Sequence, residues 1–199
     1  MAANSGGSRG GSVYSLSVRQ IVIAGILGGI VALLGYTRWG FIPVPNLAGS
    51  ATILQIPAIL GGAIEGPVVG LIVGLLFGIF SWLDPIVPFF RDPLVSILPR
   101  LFIGIVAWAV FAGLRRWNLD LASAAAGVIG SLTNTVGVLT MLVVLEYLPP
   151  AAIIPIIPQA IVEAILSAVI TVIVVRGVML YRSGRTTAPE IKSDEERRY

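Results

Sequence analysis

The sequence predicts an all-α membrane protein with six transmembrane helices. Of the 199 residues, 56% are apolar and only 12% are charged, which is about half the charged fraction of an average globular domain. The mean hydropathy of +0.95 agrees with residence in a lipid bilayer. At about 20 residues per membrane-spanning helix, a chain of this length holds at most about six or seven spans.

Six apolar stretches stand between shorter polar or proline-rich connections. They cover residues 18–34, 51–64, 67–83, 94–114, 122–145 and 156–180. A Gly- and Ser-rich segment, typical of flexible chain, precedes them, and a charged, polar segment follows. We therefore expect a flexible leader at 1–17, a six-helix transmembrane domain at 18–181 and a polar cytoplasmic tail at 182–199.

The placement of the basic residues predicts that both chain termini are cytoplasmic. With an inner N-terminus, an even number of spans returns the C-terminus to the inner side. The inner segments then hold ten basic residues: Arg9, Arg19, Arg115, Arg116, Arg176, Arg182, Arg185, Lys192, Arg197 and Arg198. The outer segments hold only Arg38, Arg91 and Arg100. This distribution satisfies the positive-inside rule, and the opposite orientation violates it.

Several classes of chemistry are excluded by the residue types that are missing. The chain has no His and no Cys, so it has no imidazole base, no thiolate nucleophile and no zinc or haem site of the usual kind. Its one Lys, Lys192, is in the polar tail, which excludes a Walker A loop. We therefore predict no catalytic residues, no metal and no cofactor. The tail needs no nucleic-acid partner, because its basic residues alternate with Glu190, Asp194, Glu195 and Glu196.

Small residues recur at a spacing of four in two of the predicted spans. The first span contains Ala24, Gly28 and Ala32, and the third begins a row at Gly66 that continues through Gly70, Gly74 and Gly78. Such rows let two helices approach closely in lipid. They serve either packing inside the bundle or docking to another membrane protein, and the pattern alone leaves both open.

Polar side chains inside or beside the apolar stretches predict a pocket toward the outer face. They are Gln55, Arg100, Asn134, Gln159 and Glu163. An Arg at mid-helix costs about 2.5–3.5 kcal/mol on insertion scales, so such groups usually face a cavity or a partner. The alternative is structural, with Arg100 and Glu163 forming a buried ion pair and Asn134 an interhelical hydrogen bond.

The outer connections add further candidate ligand-binding residues around the entrance of this pocket. Arg38 and Arg91 would attract an anion, because Arg suits carboxylate recognition. Asp84, Asp92 and Glu146 partly cancel their field, so the sign of the ligand's charge stays open. Trp39 and Trp82 could stack on a flat ligand, although an outer aromatic belt is the alternative role for both. Asn46, in the outer loop at 35–50, completes the candidate set.

Taken together, these stretches resemble the substrate-binding S components of energy-coupling factor (ECF) vitamin transporters, from about residue 18 to residue 179. The resemblance is carried by the outer loop at 35–45, Thr-Ile-Leu-Gln-Ile-Pro at 52–57, Glu-Gly-Pro at 65–67 with the glycine row after it, Asp-Pro-Leu-Val-Ser-Ile-Leu-Pro-Arg at 92–100, and Gly-Ser-Leu-Thr-Asn-Thr at 130–135. The order and spacing of these stretches on six spans are specific to the family, although each is weak alone.

The resemblance implies a six-helix S-component bundle in the plasma membrane of a prokaryote. Such a subunit captures a vitamin or precursor from outside and delivers it into the cell. It works with a transmembrane coupling subunit and two cytoplasmic ATPase subunits, which supply the ATP hydrolysis. Family members dock through small residues on the first helix, and Ala24, Gly28 and Ala32 match that row. Asp92 stands where the family often has Asn before Pro.

The pattern looks most like the pantothenate-type S components, and an Arg-bearing entrance suits a small carboxylate. Hydroxymethylpyrimidine, riboflavin and folate stay open as ligands. A membrane enzyme using paired carboxylates is disfavoured, since Glu65 and Glu163 fall on opposite membrane sides. A scaffold or small channel subunit remains an alternative, and it predicts that Arg100, Asn134 and Glu163 face helix neighbours rather than one shared cavity.

Overall fold

Six helices form an antiparallel bundle in the structure, a computed structural model that describes residues 16–43 and 50–186. The helices are α1 (Val18–Tyr36), α2 (Ile56–Glu65), α3 (Pro67–Leu83), α5 (Leu98–Leu114), α6 (Leu119–Val144) and α7 (Ile157–Thr186), with a single-turn helix α4 (Pro93–Ser96) preceding α5. The predicted six-helix membrane fold is thus confirmed. The candidate residue Asn46, most of the leader and the tail from residue 187 lie outside the described residues.

Two short strands, which the sequence did not predict, lie between α1 and α2. Strands β1 (Phe41–Pro43) and β2 (Ser50–Thr52) pair antiparallel, with Phe41 opposite Thr52. Two 3₁₀ turns, Pro88–Arg91 and Pro150–Ile156, occupy the other proline-rich connections at this end of the bundle. The prolines that end the apolar helices therefore give ordered turns.

Helix boundaries follow from capping groups that satisfy the first backbone N–H groups. At the start of α1, Ser17 and Gln20 form a reciprocal capping box of the expected kind. At the start of α6, the Asn118 side chain accepts hydrogen bonds from the N–H groups of Asp120 and Leu121. α7 ends at Thr186, so the first residues of the predicted tail continue this helix.

The second helix is shorter than the predicted span at 51–64. Residues 51 and 52 belong to β2, and α2 begins at Ile56. Its 10 residues measure about 15 Å, about half the thickness of a bilayer core. Four stretches are long and apolar enough to cross a membrane: Val18–Tyr36, Pro93–Leu114, Leu119–Val144 and Pro150–Gly184. α2 is instead buried almost throughout, and the longer helices surround it.

Glycines bring α2, α3 and α5 into backbone contact. A Cβ atom added to Gly62 would lie 2.1 Å from the carbonyl oxygen of Gly104, and one on Gly70 would lie 2.8 Å from the Cα atoms of both Gly62 and Gly104. Further along α3, a Cβ on Gly74 would lie 2.2 Å from the Arg100 carbonyl oxygen. The glycine row of α3 therefore serves packing within the bundle, and it places Arg100.

The small residues of α1 divide between two faces. Ala24 and Gly28 are buried, and a Cβ on Gly28 would lie 2.4 Å from the Leu76 side chain of α3. Ala32 is exposed, and so are Gly25 and Gly29, where an added Cβ would meet nothing within 4 Å. Two of the three residues expected to dock a partner thus pack inside the bundle, because 3.6 residues per turn rotate Ala32 away from them.

Ion pairs define the end of the bundle where the first and last described residues lie. The Glu65 carboxylate, at the turn between α2 and α3, pairs with Arg19 of α1 at 2.5 Å and with Arg182 of α7 at 2.6 Å. Asp120, at the start of α6, pairs with Arg176 of α7. The hairpin and both 3₁₀ turns lie at the opposite end. We call these the ion-paired end and the hairpin end.

Candidate functional site

A cavity opens at the hairpin end of the bundle. The cavity and its opening to solvent together hold about 850 Å³ of atom-free space. Its polar lining residues are Thr52, Ser81, Asp84, Arg100, Asn134, Thr135, Gln159 and Glu163. Its apolar lining residues are Phe41, Phe77, Ile86, Phe89, Phe90, Val138, Leu139, Leu142, Leu148, Ile156 and Ala160.

Arg100 is the buried cation of this cavity. Its side chain is 3% exposed and its guanidinium carbon lies 5.3 Å from the ring centroid of Phe77 and 4.9 Å from that of Phe90. Nη1 donates to the carbonyl oxygen of Val95, whereas Nε has no hydrogen-bond partner. Two aromatic faces thus hold the guanidinium by cation–π attraction.

Arg100 has no ion-pair partner among the described residues. The four ion pairs within 4.0 Å involve Glu65, Asp84 and Asp120, and none of them includes Arg100 or Glu163. The buried Arg100–Glu163 pair that the sequence allowed as an alternative is therefore not formed. Glu163 lines the same cavity and interacts with Arg100 electrostatically over a longer distance, but a buried charge without a close partner is costly.

Glu163, by contrast, is surrounded by hydrogen-bond donors. Its Oε1 accepts from the backbone N–H of Thr52 at 2.7 Å and from Nε2 of Gln159 at 3.0 Å. Its Oε2 lies 3.5 Å from the Thr135 hydroxyl, whose single proton is shared with the Ser131 carbonyl oxygen at 3.3 Å. These donors come from β2, α7 and α6, so one carboxylate connects the hairpin to two helices of the bundle.

Two amide side chains predicted for the site differ in position. Asn134 lines the cavity and is 4% exposed, and its side-chain Oδ1 is buried without a hydrogen-bond partner among the described residues. Gln55 is fully buried and does not line the cavity. Its Nε2 donates to the Ser131 hydroxyl at 3.3 Å, which makes it a contact between α2 and α6.

The remaining candidates lie around the entrance rather than in the cavity. Arg38 pairs with the lining residue Asp84 at 2.8 Å. Trp39 is 81% exposed, and the exposed Trp82 donates from Nε1 to the backbone oxygen of Arg91 at 3.0 Å. None of Arg38, Trp39, Trp82 and Arg91 lines the cavity.

The segment before α5 is held by a set of local hydrogen bonds. Asp92 caps α4 by accepting from the N–H of Leu94 at 2.8 Å, and its second oxygen accepts from the Tyr147 hydroxyl at 3.1 Å. That bond to an anion raises the pKa of Tyr147. The Ser96 hydroxyl donates to the Phe90 carbonyl oxygen. Asp92 thus anchors this segment instead of lining the cavity.

The cavity is lined both by residues that the sequence predicted for the site and by residues that it did not predict. Arg100, Asn134, Gln159 and Glu163 are polar groups in apolar stretches, and the structure brings them together. Phe77, Phe89 and Phe90 line the same space, but an aromatic residue in an apolar stretch carries no sequence signal of a site. Within the described part of the chain, no group of His, Cys, Asp or Glu residues is placed to hold a metal ion.

These features define a helical membrane protein with a polar and aromatic cavity between its helices. Residues 19–175 match the family model of the ECF transporter substrate-specific component. The chain therefore belongs to the family of ECF transporter S components, which are substrate-binding membrane subunits and not enzymes. In such transporters the ATPase activity belongs to partner subunits.

A solved structure supports the same fold. The chain is similar to a structure described as the S component of a bacterial ECF transporter, with a TM-score of 0.60 and 17% sequence identity. The match covers 82% of this chain and 96% of that one. None of the curated proteins compared with the chain matches it.

Proposed function

We propose that this S component captures pantothenate from outside a prokaryotic cell and delivers it inward. The observation that carries the proposal is the buried, unpaired Arg100 in the wall of the cavity. A carboxylate ligand would supply the close counter-charge that no described residue places within 4.0 Å of Arg100. Pantothenate has such a carboxylate, and the hydroxyl and amide groups on its other half suit a cavity that also contains Asn134.

The orientation of the bundle follows from charge. At the ion-paired end lie Arg19, Arg115, Arg116, Arg176 and Arg182, so the positive-inside rule makes this end cytoplasmic. The cavity at the hairpin end then opens to the outside of the plasma membrane. A capture site facing outward is what an importer needs before its partners act.

We infer that the subunit docks its transmembrane coupling partner through the exposed side of α1. Ala32 lies there beside Gly25 and Gly29, where an added Cβ meets nothing within 4 Å. Small side chains allow a partner helix to approach closely. Replacing Gly29 by Leu should abolish co-purification with the coupling subunit and its two ATPases while ligand binding is retained. Loss of both would contradict a role confined to docking.

The test of function is equilibrium binding of radiolabelled pantothenate to the purified protein in detergent. Hydroxymethylpyrimidine, riboflavin and folate serve as competitors, and thermal stability is measured with each. We expect pantothenate to bind saturably and to raise the unfolding temperature. A riboflavin, folate or hydroxymethylpyrimidine response without a pantothenate response would replace the ligand. The absence of any response would favour a scaffold role for the chain.

A further inference from the structure

The turn between α5 and α6 carries two exposed arginines beside an exposed tryptophan. Arg115 caps α5, and Asn118 caps α6. Arg115 and Arg116 are exposed, and Trp117 is 81% exposed. Because Trp is enriched where the hydrocarbon of a bilayer meets its headgroups, this turn lies at the membrane surface of the ion-paired end.

The other arginines described at this end already have carboxylate partners. Arg19 and Arg182 share Glu65, and Nε and Nη2 of Arg176 donate to the two oxygens of Asp120. Glu65 and Asp120 are the acidic residues that the described chain places at this end. The positive charge that is left without a partner among them is therefore in the α5–α6 turn.

Neither Arg115 nor Arg116 forms an ion pair within the described part of the chain. Their turn is nevertheless ordered, because the backbone N–H groups of Trp117 and Asn118 both donate to the Leu114 carbonyl oxygen, at 3.0 and 3.3 Å. The Asn118 side chain also accepts from N–H groups of α6. Adjacent guanidinium groups on an ordered turn bind an anion at a lower entropic cost than the same groups on a flexible chain.

We propose that Arg115, Arg116 and Trp117 form a binding site for an anionic membrane lipid, with the lipid phosphate at the two guanidinium groups. Arg donates to phosphate oxygens through pairs of charge-assisted hydrogen bonds. The indole ring of Trp117 lies at the headgroup level beside them. The proposal goes beyond ligand capture and does not rest on it, because either orientation of the bundle places this turn at a membrane surface.

The apolar surface beside the arginines favours a lipid over the acidic surface of a protein. Next to the exposed Trp117, Leu121 in the first turn of α6 is 54% exposed. Trp108, about 10 Å deeper along α5, is 40% exposed. In a bilayer these side chains contact the acyl chains of the lipid whose phosphate the arginines bind. An acidic protein surface over the turn would leave them without an apolar partner.

Native mass spectrometry of the full chain measures the lipid preference directly. The purified protein in detergent is equilibrated with phosphatidylglycerol and phosphatidylcholine of identical acyl chains, and the lipid that stays bound is identified by mass. We expect phosphatidylglycerol to bind about 30-fold more tightly, since each Arg near an anionic lipid surface contributes about fivefold. Inorganic phosphate should not displace the lipid, because it has no acyl chain to contact Trp117 and Leu121.

Variants of the turn separate the charge from the apolar contact. Arg115→Gln combined with Arg116→Gln should remove nearly all of the preference, and each single change should lower it about fivefold. Trp117→Ala should weaken both lipids by a similar factor and leave their ratio unchanged. Arg91→Gln is the matched control, because Arg91 is an exposed Arg at the hairpin end that has no ion pair among the described residues. It should keep the wild-type preference.

Equal binding of the two lipids by the wild-type protein, or an unchanged preference in the double variant, would overturn the proposal. An unchanged preference together with lost co-purification of the coupling subunit and ATPases would assign the arginines to a protein partner instead. The substituted side chains are exposed, so unfolding temperatures in lipid-free detergent should match wild type, and the single variants carry the test if the double variant unfolds. Pantothenate titration is run in parallel, and a failure of ligand capture there leaves a measured lipid preference standing.

Discussion

The two ends of the bundle differ in whether a buried charged group has a close counter-charge. At the ion-paired end, the Glu65 side chain is 6% exposed and has two arginines, Arg19 and Arg182, within 2.6 Å. At the hairpin end, Arg100 is 3% exposed and has one neutral acceptor, the Val95 carbonyl. Both groups are charged and almost fully buried, but among the described residues only Glu65 has its counter-charge within 4.0 Å.

From this difference we expect a structural role for Glu65 and propose a ligand-binding role for Arg100. Glu65 joins α1, α7 and the turn between α2 and α3, so its partners belong to the fold. Removing one member of such a buried group leaves the others uncompensated. Arg100 has no carboxylate oxygen within 4.0 Å among the described residues, and Glu163 acts on it only from a longer distance, so we propose that a ligand supplies its close counter-charge. The predictions below test this contrast, beginning with the largest expected effect.

Substituting Arg100 should remove the stabilisation that the ligand provides. A ligand at 100 times its Kd stabilises the folded wild-type protein by about 2.7 kcal/mol. In Arg100→Gln the same ligand concentration should add almost nothing. The ligand-free variant should be at least as stable as wild type, because the change removes an unpaired buried charge. The check is the unfolding temperature in detergent with and without pantothenate.

Arg116→Gln is the control for that experiment, since Arg116 is an exposed Arg at the ion-paired end. It should retain the full ligand-induced shift. A large loss of ligand-free stability in Arg100→Gln would show that Arg100 is structural, which would remove the contrast between the two ends.

Substituting Glu65 should lower stability and leave ligand binding unchanged, the opposite of the effect expected for Arg100. Glu65→Gln keeps the shape but replaces two charge-assisted bonds by weaker ones, and should lower the free energy of unfolding by about 2 kcal/mol. The ligand-induced shift should stay at its wild-type size because the change is at the far end. Reversible denaturant unfolding measures the first quantity, and titration measures the second. A changed ligand affinity would argue against separate roles for the two ends.

Glu163 should stabilise the hairpin through its hydrogen bond with the backbone N–H of Thr52. In Glu163→Ala the Thr52 N–H loses its acceptor, which costs about 1–1.5 kcal/mol, so amide hydrogen exchange at Thr52 should become roughly tenfold faster. Glu163→Gln keeps a carbonyl oxygen for this bond and should retain most of the protection. Hydrogen-exchange mass spectrometry of the ligand-free protein compares the two. Equal exchange in both variants and wild type would show that the carboxylate does not hold β2.

The smallest effect is expected at the Asp120–Arg176 pair. Its side chains are 40% and 60% exposed, and exposed ion pairs contribute only about 0–1 kcal/mol. Asp120→Asn should therefore lower stability by less than the change at Glu65, and most of the difference should vanish at high salt. A loss as large as that of Glu65→Gln would mean that burial does not distinguish the two pairs.

Much of the fold was predictable because apolar helices that cross a bilayer are long. The predicted spans at 18–34, 122–145 and 156–180 correspond to α1, α6 and α7. The start of α2 was wrong because residues 51 and 52 pair with β1, a tertiary contact without a local signal. The sequence also did not predict which face of α1 is accessible to a partner, because a row of small residues does not show which face packs against α3.

The site was predictable where a polar group stands in an apolar stretch. Arg100, Asn134, Gln159 and Glu163 satisfy that rule, and all four line the cavity. Gln55 satisfies it too but is a contact between helices, because the rule does not distinguish a cavity from a helix neighbour. Trp39 and Arg91 are in exposed connections, where the sequence does not indicate whether a side chain points toward the cavity. Whether Arg100 and Glu163 pair could be decided only from three-dimensional distances.

The most direct test of the account is a ligand-bound structure of the full chain determined with pantothenate. The account predicts a carboxylate oxygen about 3 Å from a guanidinium nitrogen of Arg100, with the hydroxyl or amide half of the molecule at Asn134. Contradiction would come from a carboxylate bound at the exposed Arg38 or Arg91, or from a ligand in the cavity whose carboxylate leaves Arg100 without an anion.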